Sequence, residues 1–136
     1  MTTTLNKQKP EFRNIHVTQI VGYRMPAPAM VSIMHRISGA LMFLLLALLI
    51  WLLQLSLASE LSFARLKEAA SLWWMKLILV ALVWALLHHL VAGIRFLLLD
   101  LHVGIEKVAS VKSALAVFAV SLPLTLAAAL RIFGVF

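Results

Sequence analysis

Two groups of polar residues in a largely apolar chain could do chemistry. His88 and His89 lie side by side within an apolar run that continues for several residues on both sides. A histidine in a membrane segment costs free energy unless it is paired, ligates a metal or faces water, so it marks a candidate site. The second group is Ser32, His35 and Arg36, whose spacing of three and four residues places them on one helical face. Together a hydroxyl, an imidazole and a guanidinium can hold a polar head group or carboxylates.

The residues that follow His89 leave three explanations for it open. Gly93 and Phe96 come four and seven residues later, so one helical face carries an imidazole, a gap and an aromatic ring. The gap would leave room for a flat macrocycle, or it would permit close helix packing. Spacing alone allows ligation, a hydrogen bond between helices, or proton relay. Because His88 points about 100° away, the two histidines cannot bind one iron from opposite faces. His35 lies near the interface, so a partner chain is the simpler source of a second axial ligand.

The composition requires a membrane around these groups. Apolar residues make up 63% of the 136-residue chain, against roughly 45–50% in an average soluble domain. Charged residues make up only 12%, about half of the usual share of roughly 25%. A soluble globular domain and a disordered chain are both excluded, because each needs more polar residues than this chain has.

Charge and cysteine content narrow the function classes further. The net charge is +7, but the basic residues flank apolar segments and form no dense run, so we expect no nucleic-acid partner. The absence of cysteine excludes disulfides, thiolate metal sites and a covalently attached c-type haem. The first thirty residues contain basic residues but no long apolar run, which argues against a cleavable signal peptide.

Three stretches without charged residues predict membrane-spanning helices, at residues 37–59, 77–94 and 113–130. At about 1.5 Å per helical residue they cover roughly 27–34 Å, close to the ~30 Å hydrocarbon core. Pro123 suggests a kink in the third. We therefore predict an all-α integral membrane protein, with a segment at 1–27 followed by a three-helix membrane domain at 28–136, whose spans cover about 30–58, 73–99 and 112–133.

The distribution of lysine and arginine sets the expected orientation. Most of these residues lie in the N-terminal segment and in the loop between the second and third spans. The positive-inside rule then places the N-terminus in the cytoplasm. Pro26 and Pro28 suit the start of the first helix, since a proline lacks the N–H that is unpaired there anyway. Ser32, His35 and Arg36 would consequently lie at the cytoplasmic interface.

Two motifs in these regions resemble those of a known family. Residues 32–39 read SIMHRISG and resemble the pattern S-x-x-H-R-x-[ST]-G. Residues 89–100 read HLVAGIRFLLLD and resemble H-x(3)-G-x-R-x(4)-D. Both patterns are signatures of the succinate dehydrogenase cytochrome b membrane-anchor subunit, the large anchor of bacterial respiratory complex II. The three spans, the basic N-terminal tail and the Lys9-Pro10 start also match, so the resemblance covers nearly the whole chain.

The resemblance implies roles for individual residues. The histidine that opens the second motif is an axial ligand of haem b in this family, which implies that role for His89 rather than for its neighbour. The serine and arginine of the first motif line the ubiquinone site, here Ser32 and Arg36. The histidine between them approaches the haem propionates, which points to His35, with Arg36 and Arg95 as further propionate neighbours.

The resemblance also implies an assembly. Electrons from succinate would pass from a flavoprotein subunit through an iron–sulfur subunit to ubiquinone at the cytoplasmic edge of the inner membrane. This chain would anchor those subunits without being catalytic alone, and a second small membrane-anchor subunit would supply the other haem ligand. The chain departs from some bacterial members at Phe96, where they carry histidine, so no role is carried over to that position.

Three alternatives remain at this stage. One is a fumarate reductase anchor that runs electrons in the other direction. Another is a small proton-coupled transporter in which His88 and His89 relay protons, although the chain has neither the internal repeat nor the mid-membrane acidic residue usual in transporters. The third is a structural anchor without haem.

Overall fold

The part of the chain that the structure describes forms five helices. The computed structural model describes residues 16–135, and the prediction about the Lys9-Pro10 start lies outside those residues. The helices are α1 (Val17–Gly22), α2 (Ala27–Ala58), α3 (Glu60–Ser71), α4 (Trp73–Asp100) and α5 (Lys107–Phe133). Three of them, α2, α4 and α5, are long and apolar enough to cross a membrane, and the described residues contain no strand. The prediction of an all-α membrane protein with three spans is confirmed.

Local sequence explains where α2 begins. Pro26 is its N-cap and Pro28 lies in its first turn, where a missing N–H interrupts no helical hydrogen bond. The amides of Ala29 and Met30 both donate to the carbonyl of Pro26, at 3.0 and 3.1 Å. This start places the first motif about one to three turns inside α2.

A short helix follows α2 in the segment between the first and second predicted spans. Ser59 and Ser62 form a reciprocal capping box at the start of α3, each side chain accepting from the other residue's amide. The Ser62 hydroxyl also donates to the carbonyl of Leu55 at the end of α2, at 2.6 Å. None of the α3 residues is buried, so this helix links the two spans without joining the core.

The second and third spans form an antiparallel hairpin. The connection contains two residues in the left-handed region, His102 with φ 61° and Gly104 with φ 76°. The helix α5 continues through Pro123 and ends at Gly134, whose φ of 76° makes a left-handed cap.

The interior of this bundle holds small and polar side chains, while large apolar side chains face outward. The buried residues of α4 are Ala85, His88, Ala92 and Arg95, and those of α5 are Ala114, Val117, Ser121 and Thr125. Small residues at helix contacts let the backbones approach closely in a membrane. The outward leucines and phenylalanines suit contact with lipid, which leaves the polar residues between the helices to be explained by their contacts.

Candidate functional site

The two sequence motifs meet where α2 passes α4. The imidazole rings of His35 and His89 stack with centroids 4.0 Å apart and an interplanar angle of 11°. The ring of Phe96 lies 5.0 Å from that of His35 and is tilted by 54°. The face of α4 that carries His89 and Phe96 therefore packs against the first motif, and both of these side chains are half-buried.

The hydrogen bonds of His89 fix its tautomer. Its Nδ1 lies 3.1 Å from the backbone carbonyl oxygen of His35. A carbonyl oxygen can only accept, so Nδ1 must carry the proton and donate it. The Ser38 hydroxyl lies 3.3 Å from the same nitrogen and donates to the same carbonyl at 3.0 Å. The other nitrogen, Nε2, consequently keeps its lone pair and makes no hydrogen bond within residues 16–135.

Two glycines have different neighbours at this crossing. A Cβ atom placed on Gly39 would lie 2.7 Å from Cε1 of His89 and 3.2 Å from its Nδ1. A Cβ atom on Gly93 would meet Nε2 of His35 at 3.5 Å, which is ordinary contact. The space next to Gly93 is thus taken up by the His35 ring, as expected of close helix packing, and it is Gly39 that makes room for His89.

The residues predicted to contact quinone lie beside His35 on α2. Ser32 is about one turn before His35, and Arg36 directly follows it. Ser32 is half-buried, while Arg36 is exposed. Neither side chain forms a hydrogen bond or an ion pair with another residue in the described part of the chain. With His35 they form a row of polar groups along α2.

His88 occupies a different environment on the other side of α4. It is fully buried, with Trp84 and Phe118 against its ring at centroid distances of 5.4 and 5.6 Å. Both ring nitrogens are buried and have no hydrogen-bond partner among residues 16–135.

Arg95 is directed toward α5. Its Nε donates to the Ser113 hydroxyl at 2.9 Å, and its Nη2 donates to the carbonyl and the hydroxyl of Ser110 at 3.1 and 3.0 Å. The side chain is only 6% exposed. Its Cζ lies 5.4 Å from the ring centre of Phe96, which also contacts His35. The structure therefore does not bring Arg95 into hydrogen-bond contact with His35 or His89.

A groove of about 380 Å³ lies between α4 and α5, lined by apolar side chains together with Arg95 and Ser113. Two of its residues, Ile94 and Leu98, are about 140° and 180° around α4 from His89 at ~100° per residue. The groove therefore opens on the opposite side of α4 from the stacked histidines and is separate from the candidate site.

Comparison with known proteins finds matches that cover most of this chain. Residues 7–128 match the family model described as "Succinate dehydrogenase/Fumarate reductase transmembrane subunit". The succinate dehydrogenase cytochrome b556 subunit of Paracoccus denitrificans is 36% identical over 102 residues, which is 75% of this chain and 78% of that protein. The protein of the same name from Coxiella burnetii is 38% identical over 98 residues, covering 71% and 74% of the two chains.

The chain belongs to the succinate dehydrogenase/fumarate reductase transmembrane subunit family. The matched region contains both motifs, the helices α2, α3 and α4, and most of α5. The resemblance inferred from the two motifs is therefore confirmed at the level of the family.

Several residues of the site have contacts that the sequence alone did not predict. Ser38 and Gly39 belong to the first motif, but nothing in their spacing showed that they would touch His89. Ser110 and Ser113 are three residues apart, which places both hydroxyls on one face of α5. This spacing is visible in the sequence, but it does not identify Arg95 of α4 as their partner.

Proposed function

We propose that this chain is the membrane-anchor and haem b-binding subunit of a succinate:ubiquinone oxidoreductase, a bacterial respiratory complex II. It would lie in the inner membrane with its N-terminus in the cytoplasm. The observation that carries the proposal is the tautomer of His89, whose Nδ1–H donates to the His35 carbonyl and leaves Nε2 free to bind iron. Metal-ligating histidines typically donate their other ring N–H in this way.

The surroundings of His89 fit a haem. The ring is held on one edge by the glycine and serine of α2 and on one face by His35, while it stays half-exposed at the surface of the bundle. Relatives that carry the name cytochrome b556 support the same cofactor. When bound, haem b supplies a carrier that takes up and gives back one electron at a time.

For the haem propionates we propose one imidazole and two guanidinium groups of this chain. His35 stacks on the ligand, and Arg36 follows it at the exposed edge of α2. Arg95 would contact a propionate with its Nη1, which makes no hydrogen bond within the described residues. Its Nε and Nη2 already donate to serines of α5. Charge-assisted bonds of this type to carboxylates are about twice as strong as neutral ones.

For ubiquinone we propose Ser32 and Arg36 as the contacts of this chain. The Ser32 hydroxyl can donate a hydrogen bond to a quinone carbonyl oxygen. Arg36 can stabilise the negative charge that develops on that oxygen as electrons arrive, which is the way cationic donors act elsewhere. The two electrons would come from succinate through the flavoprotein and iron–sulfur subunits, and two protons from the cytoplasmic side would complete the quinol.

The other axial ligand is proposed to come from a second small membrane subunit. His88 is enclosed between α4 and α5 and faces away from His89. His35 lies in the stack beside His89 rather than opposite its free nitrogen. A histidine from a partner chain, on the side where His89 is half-exposed, would complete the site. The iron–sulfur subunit would dock on the cytoplasmic side.

The rival functions have less support. Both reported relatives are named for succinate dehydrogenase, which favours succinate oxidation over fumarate reduction. A proton relay through His88 would need a polar neighbour, and its two nitrogens have no hydrogen-bond partner among the described residues.

The first experiment is a reduced-minus-oxidised spectrum of the purified complex. We expect the absorption bands of a b-type haem, because Nε2 of His89 is available as a ligand. A complex that contains all its subunits and shows no haem bands would contradict the haem-binding function.

The quinone contacts are tested by Ser32→Ala and Arg36→Leu. We expect succinate–ubiquinone reductase activity to fall by about tenfold or more, equivalent to ~1.4 kcal/mol of transition-state stabilisation. Succinate oxidation by an artificial acceptor that takes electrons from the soluble subunits should persist. Ser56→Ala, near the other end of α2, serves as the control and should change neither activity. Equal loss in both assays, or full quinone reductase activity in both variants, would contradict the assigned roles.

A further inference from the structure

We infer that Ser38 and Gly39 are positioning residues for His89, with Gly39 seating the imidazole ring and Ser38 setting how strongly that ring donates electrons to iron. This inference deepens the proposed function and rests on His89 as the haem ligand.

Gly39 lets the backbone of α2 approach the imidazole directly. With a Cβ atom in this position, the separation from Cε1 of His89 would be only 2.7 Å, well inside normal contact. The ring cannot simply retreat, because its Nδ1 bonds the His35 carbonyl at 3.1 Å and its face stacks on the His35 ring. Any side chain at Gly39 must therefore turn the ring away from its present position or push the helices apart.

Ser38 provides a second acceptor for the His89 N–H. The hydroxyl is almost fully buried, at 1% exposure, and its single proton is donated to the His35 carbonyl. A lone pair of the same oxygen is therefore left to accept from Nδ1–H at 3.3 Å. The proton on Nδ1 is shared between two oxygens, and such partners increase the basicity of a ligating imidazole.

A stronger electron donor stabilises oxidised iron relative to reduced iron, so it lowers the reduction potential of a haem. Hydrogen bonds in this outer shell are one of the means by which proteins set that potential. Removing the Ser38 hydroxyl should therefore raise the potential without removing the ligand.

The chain supplies a matched control for the glycine. Gly93 lies one turn after His89 on α4, and a Cβ atom there would make only an ordinary 3.5 Å contact with His35. Alanine at this position adds the same methyl group to the same crossing of α2 and α4 without touching the imidazole of His89.

The experiment compares Gly39→Ala with Gly93→Ala in the assembled complex. We expect the Gly39→Ala complex to lose most of its low-spin haem signal in electron paramagnetic resonance, measured per complex. The Gly93→Ala complex should keep the wild-type signal. Wild-type signals in both variants, or equal losses in both, would overturn the role of Gly39. If the Gly39→Ala complex does not assemble while Gly93→Ala does, the close approach is still supported, and the serine series below decides the inference.

That series measures the haem potential in Ser38→Ala and Ser38→Thr complexes. We expect a shift to more positive potential in Ser38→Ala and a return toward the wild-type value in Ser38→Thr, which keeps the hydroxyl. An unchanged potential in Ser38→Ala would overturn the role of Ser38. A His89→Ala complex, measured in the same way, distinguishes failure of the proposed function from failure of this inference. Retention of an unaltered low-spin haem there contradicts the proposed function itself, whereas haem loss there with wild-type behaviour of the Ser38 and Gly39 variants contradicts only this inference.

Discussion

The two adjacent histidines of α4 occupy opposite kinds of environment. His88 is fully enclosed by its own chain, between two aromatic rings, and its nitrogens have no hydrogen-bond partner among residues 16–135. His89 is half-exposed, carries a fixed tautomer and lies against a glycine on α2. A rotation of about 100° between neighbouring helical positions produces this difference.

One helix, α4, therefore has a closed side and an open side. The side toward α5 is closed, with Arg95 held by Ser110 and Ser113. On the side toward α2, the His89 ring donates a hydrogen bond to the His35 carbonyl, but the ring is only partly covered. An uncovered polar group is costly in lipid, and the cofactor and partner subunit that we propose would cover the open side.

The largest effect on membrane level and haem binding should come from removing the partner subunits that would cover the open side of α4. When this subunit is expressed without its partner subunits, we expect it to be degraded, or to bind haem weakly and in a different coordination state. The reason is that, in the proposed function, this chain would supply only one histidine to the iron. Membrane levels and haem spectra of the lone subunit check this, with the co-expressed complex as the control. A monodisperse lone subunit with fully six-coordinate haem would show that the open side needs no partner.

A moderate effect is expected from the bonds that hold the closed side together. Ser113→Ala removes the acceptor of Arg95 Nε and leaves a buried charged donor unpaired. We expect it to lower the stability of the complex by about 1–2 kcal/mol, seen as a lower midpoint of thermal dissociation in detergent. Ser121→Ala is the matched control, since the hydroxyl of this fully buried serine has no partner within the described residues. Equal midpoints for the two variants would remove the case for an Arg95 clamp.

The smallest effect is expected at His88. His88→Leu replaces an imidazole without hydrogen-bond partners by an apolar side chain of similar size. The stability of the complex, followed by its thermal midpoint, should stay within about 1 kcal/mol of the wild type or rise, because no hydrogen bond is lost. The haem spectrum should also be retained. Marked destabilisation would mean that His88 has a polar partner, such as a buried water, that stabilises the closed side.

The sequence was sufficient to predict the architecture. Long charge-free stretches predict spans because backbone groups in lipid must be bonded internally. The helices α2, α4 and α5 contain those stretches except for Ser59, which is the C-cap of α2. It did not predict α3, because a helix start there depends on the reciprocal bonds of Ser59 and Ser62 rather than on apolar length.

The site was predictable only in part. The motifs identified the family and singled out His89, whereas spacing alone left ligation, helix–helix bonding and proton relay open. The partners of His89 and Arg95 come from other helices, and the register between helices is set by packing that a single sequence does not display. The same limit explains why Gly93 suggested a gap for a macrocycle when the structure places the His35 ring there.

The most direct test of the central claim is chemical rescue of His89→Gly. Removing the side chain leaves a space beside Gly39 and under the His35 ring that free imidazole can fill. We predict that the reduced-minus-oxidised spectrum of the His89→Gly complex lacks the normal b-type bands and recovers them when imidazole is added. The His88→Gly complex should show the wild-type spectrum with or without imidazole. A wild-type spectrum of His89→Gly in the absence of imidazole, or a requirement for imidazole in His88→Gly instead, would contradict the assignment of His89 as the ligand.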